Sequence, residues 1–235
     1  MQAETFTRRY LPHWYMPGAA FFITYRLIDT LPAAFLKELG ASSEQFLRQK
    51  PPAGVSAAQH RANAHKRWFA QYDEYLDKHQ GKSWLADPRV AAIVRSNLYH
   101  HHGGKYHLMA YCVMPNHVHL VLQPILQDGD AGASAPMEPI GEREDSVSPL
   151  SKIMHSLKSY TAHEANALLR RSGGFWQRES YDHWIRDEDE LERIVSYIQA
   201  NPVTAALVER PQDWFFCSCH DRFLMDGEVT AWLKW

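Results

Sequence analysis

The sequence predicts an α+β fold: a ferredoxin-like (RRM-like) antiparallel sheet with helices on one face, plus a helical insertion and a C-terminal extension. Three observations support this class. Short β-branched and aromatic runs alternate with longer segments of helical period. Gly and Pro pairs separate these segments. Their order is strand, helices, strand, strand, helix, strand, helix. At 235 residues, the chain is long enough for one enlarged domain over 1–235.

The individual elements follow from local composition. The predicted strands are 21–28 (FFITYRLI), 106–113 (YHLMAYCV), 117–123 (HVHLVLQ) and 177–185. The predicted helices include 57–79, 88–100, 148–171 and 187–200. Two of them start with a capping residue followed by proline, at Asp87-Pro88 and Ser148-Pro149. The last helix is predicted to close at Asn201-Pro202. The helical insertion at about 33–86 has no function that the sequence reveals.

Charge is distributed unevenly. The formal net charge is −2, which by itself argues against binding a nucleic-acid backbone. Residues 127–147, however, hold six acids and one arginine, whereas 148–180 hold five basic residues and two acids. The first of these segments belongs to a Gly-, Ala-, Pro- and acid-rich stretch at about 125–147, which we predict to be a mobile acidic loop. The second provides a modest basic patch.

Other classes are disfavoured. The N-terminus carries no apolar stretch like a secretory signal, and no run approaches the roughly 20 apolar residues that span a bilayer. Three cysteines are too few and too irregular for a disulfide framework. We therefore expect a cytoplasmic protein with reduced thiols and no membrane partner.

The first candidate functional residues are His117 and His119. They are two apart on a predicted strand, so they point to one face of the sheet, where two imidazoles can share a divalent cation. The alternative is a pair of ordinary, partly exposed histidines in a chain that has 14. A further run, residues 100–102 (three histidines), is interpreted as a polar helix end.

The helix from Ser148 carries the second candidate pair. Tyr160 and Glu164 are four residues apart, so they lie on the same side of the helix. Lys152 and Lys158 on this helix could dock phosphates. The alternative is a boundary tyrosine and a solvated glutamate.

Four ordered blocks carry a resemblance to a known family: VMPNHVHLVL, LSKIMHSLKSYTAHEAN, FWQRESYDHWIRDEDEL and YIQANPVTAALV. They resemble the single-tyrosine HUH transposases and, more narrowly, the REP-associated tyrosine transposases of the insertion-sequence transposase group. The opening LPHWYMPGAAFFITYRLIDTLP is similar to that branch as well. The resemblance covers roughly 10–32 and 84–208.

The resemblance implies a mechanism. His117 and His119 would bind Mg²⁺ or Mn²⁺, and Tyr160 would be the nucleophile. In relatives, the third ligand stands four residues after the tyrosine and is usually Gln or Asn; here that position is Glu164, a departure. His163 is a weaker substitute because it points elsewhere on the helix. Cleavage of single-stranded DNA would leave a 5′-phosphotyrosine and a free 3′-hydroxyl, and reversal would rejoin strands, as DNA transposition and recombination require.

The same resemblance implies REP-like hairpins of single-stranded DNA as partners, with a monomer favoured over a dimer. The candidate DNA contacts are Lys152, Lys158, Arg171 and Arg178, with Trp176 available to stack a base. Each could instead be a solvated charge or, for Trp176, a packed core ring.

Three rival functions stay open. The first is a non-catalytic protein that binds DNA hairpins with the same fold. The second is a metal hydrolase or oxygenase with a two-His, one-carboxylate site, which predicts a closed pocket rather than an open sheet face. The third is an RNA-binding sheet domain, although a central aromatic pair is not evident in the predicted strands.

Overall fold

The computed structural model describes residues 18–78, 81–125 and 148–220. The strands are β1 (Phe21–Arg26), β2 (Tyr106–Val113), β3 (His117–Pro124) and β4 (Tyr181–Trp184). The α-helices are α1 (Ala33–Arg48), α2 (Ala57–Asp77), α3 (Pro88–His101), α4 (Pro149–Leu168) and α5 (Glu188–Thr204). Short 3₁₀ turns occur at Trp84–Ala86 and Pro211–Asp213. The predicted acidic loop lies almost entirely outside the described residues.

The four strands form one antiparallel sheet in the order β2-β3-β1-β4. This is the ferredoxin-like order, so the predicted α+β class and its sheet are confirmed. β1 and β3 are central and almost fully buried, as expected for strands covered on both faces. β4 begins later than predicted: before Tyr181 the chain contacts the end of β1 at an isolated bridge between Leu27 and Trp176 and through a hydrogen bond from Gln177 N to the carbonyl of Arg26.

The first face of the sheet carries α3 and α4, as the strand–helix pattern predicts. Their apolar stripes meet alternate residues of β1 and β3 in one core. Its members include Phe21, Ile23, Val118, Leu120, Val94, Leu98, Ile153 and Leu157. Both helices begin at the predicted caps, where the side chain of Asp87 accepts from Arg89 N and that of Ser148 from Ser151 N.

The second face is also covered, which differs from the predicted arrangement with helices on one face of the sheet. Helices α1, α2 and α5 pack there in a second core that includes Phe22, Val121, Leu39, Trp68, Leu76, Val195 and Ile198. The predicted insertion is therefore helical, and it forms a layer over the sheet. Among the described residues, no helix is long and apolar enough to cross a membrane.

Helix α5 continues beyond its predicted end. Pro202 lies inside the helix, which runs to Thr204, because the proline costs one hydrogen bond close to a terminus where few bonds remain. Asn201 is consequently helical, and it lies one turn from Tyr197 on the side of α5 that faces the sheet.

Candidate metal centre

His117 and His119 lie side by side on β3, beneath the second helical layer. Neither ring has any solvent exposure, and their Nε2 atoms are 2.9 Å apart. Strand alternation places both rings on the second face, as predicted. The alternative interpretation, a pair of partly exposed histidines, is wrong about their exposure, because α2 and α5 cover both rings.

The outer nitrogens of both rings are held by neighbouring side chains. Nδ1 of His117 lies 2.6 Å from Oδ1 of Asn116, which can only accept. Nδ1 of His119 lies 2.7 Å from the hydroxyl of Thr24, on β1. These contacts orient the rings and leave the two Nε2 atoms facing each other. In metal-binding histidines, too, a neighbouring group holds the ring nitrogen that does not bind the metal.

A carboxylate from the insertion completes the group. Asp73, on α2, is 5% exposed, and its Oδ1 lies 3.3 Å from Nε2 of His119. One ligand atom from each of Asp73, His117 and His119 can be chosen so that all lie within 4.8 Å of one another. Oδ1 of Asp73 has no hydrogen-bond partner within the described residues. Two imidazoles and a carboxylate with an unsatisfied oxygen fit a divalent cation.

A second carboxylate, Asp77, lies one helical turn further along α2. Burial and the charge of Asp73 raise its pKa to about 7, against a smaller opposing effect from His119. Two carboxylates in a buried site repel each other unless a cation compensates them. The surroundings of the histidines therefore favour positive charge.

Tyr197 and Asn201 approach the same group from α5. Nδ2 of Asn201 lies 3.4 Å from Nε2 of His119 and 3.3 Å from the hydroxyl of Tyr197. The rings of Tyr197 and His119 are 5.6 Å apart. Asn201 is 1% exposed, and its Oδ1 has no partner among the described residues. Half a turn of the amide exchanges its oxygen and nitrogen, so Asn201 can offer an oxygen to a cation.

The predicted tyrosine and glutamate do not join this group. α4 packs against the first face of the sheet through Ile153, Leu157 and Thr161, whereas the histidines point to the second face. Tyr160 is 51% exposed, and Glu164 is only partly buried. Within one chain, the carboxylate beside the histidines is therefore that of Asp73 and not that of Glu164. His163 is exposed on the same helix as Glu164.

Three of the predicted DNA contacts, Lys158, Arg171 and Trp176, have structural partners. Nζ of Lys158 donates to the carbonyls of Gln177 and Arg178, and burial lowers its pKa to about 8. Arg171 stacks on Trp84 at 3.8 Å and donates to Asn166 and to the carbonyl of Gly174.

Trp176 is a core residue rather than an exposed stacking platform. It is 9% exposed, its Nε1 donates to Oγ1 of Thr161 at 2.9 Å, and its ring meets that of Tyr25 edge-on. Lys152 and Arg178 are exposed, so they are the predicted cations that stay available to a phosphate backbone.

Sequence reasoning missed Asp73, Tyr197 and Asn201. For the last two a signal existed, because the segment YIQAN places an amide four residues after a tyrosine, the interval that the resemblance implies. Tyr160 with Glu164 meets that interval only by departing from the amide. Asp73 had no comparable signal, since nothing in the sequence places the insertion against β3.

A known protein is similar in sequence to part of this chain. A curated protein of Haemophilus influenzae, named "Putative REP-associated tyrosine transposase", is 29% identical over 115 residues. The predicted resemblance is confirmed. The match covers 49% of this chain and 60% of that protein, so the chain spans less than two thirds of its relative. No family model matches the chain.

One solved structure is also similar. It is titled "Structure of the REP associates tyrosine transposase bound to a REP hairpin", with 14% sequence identity and a TM-score of 0.48. The alignment covers 94% of this chain and 92% of that one.

Proposed function

We propose that this protein cleaves and rejoins single-stranded hairpin DNA as a metal-dependent transposase, with Tyr197 as the nucleophile. The observation that carries the proposal is the meeting of Tyr197, Asn201 and His119 at a buried group of cation ligands. The resemblance to a REP-associated tyrosine transposase supports the substrate class.

Asp73, His117 and His119 would hold the cation, and Asn201 would add an amide oxygen. Mg²⁺ and Mn²⁺ are the cations that the resemblance implies, and a carboxylate and an amide suit such hard ions. When bound, the cation supplies Lewis-acid stabilisation of the charge that develops on the scissile phosphate.

Tyr197 would form the covalent link. A tyrosine hydroxyl has an ordinary pKa near 10, so it needs help to attack at neutral pH. With its oxygen turned towards the cation, Asn201 would accept a hydrogen bond from the phenolic hydroxyl across this 3.3 Å contact and orient it for attack. The phenolic oxygen attacks phosphorus, the bond from phosphorus to the 3′ oxygen breaks, the phenolic proton leaves to solvent, and the 3′ oxygen takes up a proton.

The link to Tyr197 is a 5′-phosphotyrosine diester. Because this link conserves the energy of the broken phosphodiester bond, a 3′-hydroxyl from another strand can attack its phosphorus and release the tyrosine. The reverse step restores a DNA backbone without a nucleotide cofactor.

A covalent-adduct assay tests the proposal. Labelled hairpin DNA with unpaired flanks is incubated with the full chain and Mn²⁺, then separated on a denaturing gel. We expect an adduct that is absent in EDTA and in Tyr197→Phe but present in Tyr160→Phe, which is the matched control. Loss of the adduct in Tyr160→Phe alone would instead support the first assignment, with α4 acting across two copies of the chain.

Two rivals are separated by the same assay. Tight hairpin binding with no adduct under any condition would favour the non-catalytic binding protein. One observation favours the metal hydrolase or oxygenase. The histidines are fully buried under α2 and α5, whereas the argument against this rival was that the sheet face would be open. That rival predicts metal binding by Asp73, His117 and His119 without any DNA adduct.

A further inference from the structure

A pocket of about 220 Å³ opens between the two helices of the insertion, α1 and α2. Its floor is apolar, formed by the buried side chains of Leu39, Ala64 and Trp68. Serine and glutamine side chains, including Ser43 and Gln71, supply hydrogen-bonding groups around it. The pocket is smaller than the ~300–1,000 Å³ of drug-sized ligand sites, so it suits one small group.

One wall of the pocket is a cation stacked on an aromatic ring. The guanidinium of Arg67 lies 4.8 Å from the centre of the Phe46 ring, and both side chains line the pocket. The ring of His60 stacks on the Phe46 ring with the two centres 4.6 Å apart, and its Nε2 lies 3.0 Å from the carbonyl oxygen of Phe46. These contacts hold the Phe46 ring in place. Planar guanidinium and aromatic groups are the surfaces on which proteins stack unpaired bases.

The helix that carries this wall is basic up to the metal centre. Residues 57–72 contain Arg61, Lys66 and Arg67 and no acidic residue. The first acid is Asp73, the candidate ligand, six residues after Arg67. At 1.5 Å and 3.6 residues per turn, the two lie about 9 Å apart along α2 and about 120° apart around it. A strand whose phosphate reached the metal centre could therefore extend along the basic half of this helix.

We infer that this pocket binds one unpaired base of the single strand that flanks the DNA hairpin. The inference rests on the proposed function for its substrate, and it gives the insertion a role in choosing the strand position that is cut. Serine and glutamine side chains would read the edge of the base, and Arg67 would stack on its face.

Binding without cleavage tests the inference. The probe is a fluorescein-labelled hairpin with short unpaired flanks, measured by anisotropy in EDTA with the full chain. Each flanking nucleotide is replaced in turn by an abasic residue. We expect one position at which the loss of the base weakens binding about tenfold. Arg67→Gln, and Ser43→Leu, which fills the pocket, should remove the penalty at that position.

Arg61→Gln is the matched control, because it removes the same charge from the same helix outside the pocket and should keep the penalty. Thermal melting checks that each variant folds. The inference falls if no abasic position matters, if Arg67→Gln keeps the penalty, or if the protein does not bind the probe. The adduct assay tests the proposed function separately. If only the pocket inference is wrong, the adduct still forms; if only the cleavage proposal is wrong, the abasic penalty still depends on Arg67.

Discussion

Oδ1 of Asp73 lies 3.3 Å from Nε2 of His119, which joins the helical insertion to the central strand of the sheet. The contact connects two segments that are far apart in the chain, and it places a carboxylate where the resemblance implied only two histidines and a residue from a later helix. The insertion is therefore part of the candidate site, and four predictions follow from that geometry and from the packing of α4.

Asp73→Asn should weaken Mn²⁺ binding by at least about tenfold, because it removes a charged ligand oxygen from the group. Isothermal titration calorimetry on the full chain measures the affinity. Glu164→Gln is the matched control, since it also turns a carboxylate into an amide but lies on α4, and it should bind Mn²⁺ as the unchanged protein does. Equal losses in both variants would contradict the assignment of Asp73.

Thr24→Val should weaken Mn²⁺ binding by about tenfold, because it removes the hydroxyl that contacts Nδ1 of His119. Thr30→Val is a suitable comparison: Thr30 is also buried, and its hydroxyl accepts from Arg26 and donates to the carbonyl of Leu27. Both variants should lose about 1–2 kcal/mol of unfolding free energy. A metal affinity that changes equally in both would argue against a specific role for Thr24.

The buried ammonium of Lys158 predicts a pH dependence of stability. Its pKa is lowered to about 8 in the fold from an ordinary value near 10.4. Between these values the unfolded chain binds more protons, so the contribution of Lys158 to stability increases as the pH rises from about 8 towards 10. Well below pH 8 its burial carries the full cost, on the order of 3 kcal/mol.

Urea unfolding of the protein and of Lys158→Met at pH 7 and pH 9.5 tests this. The free-energy difference between the two proteins isolates Lys158 from the other titrating groups, and it should shift in favour of the unchanged protein at the higher pH. A difference that is the same at both pH values would mean that the ammonium is not desolvated.

Trp176→Phe should lower the unfolding free energy by about 1–2 kcal/mol, because Oγ1 of Thr161 loses a buried donor. Hairpin affinity at a temperature well below melting should not change, since the ring is in the core. Arg178→Gln is the comparison, because that side chain is exposed; it should leave stability unchanged and weaken hairpin binding slightly at low salt. A large loss of DNA affinity in Trp176→Phe would restore the stacking role.

Much of the fold follows from local patterns. The runs at β1, β2 and β3 have the composition of buried strands, and the starts of α3 and α4 carry capping side chains that act within one turn. β3 also determines that His117 and His119 share a face, because side-chain alternation depends on the backbone alone. These features could be predicted because their causes lie within a few residues.

The partners of the histidines could not be predicted in this way. An i, i+4 pair occurs on many helices, and the spacing does not say which face of a sheet a helix covers. Tyr160 with Glu164 and Tyr197 with Asn201 both satisfy the interval, but only α5 packs on the side of β3 to which the histidines point. The pairing of Tyr197 with Asn201 was missed because α5 was predicted to end before Asn201. For a residue outside a helix, the helical period does not say which way its side chain points.

The sequence by itself therefore determined the sheet, its helical crossovers and the paired histidines, since propensity, capping and strand periodicity are local. Only the tertiary structure decided which tyrosine, which amide and which carboxylate meet those histidines. That choice depends on how two helical layers divide between the faces of one sheet, a matter of long-range packing in which Asp73 reaches the site from an insertion more than 40 residues before His117.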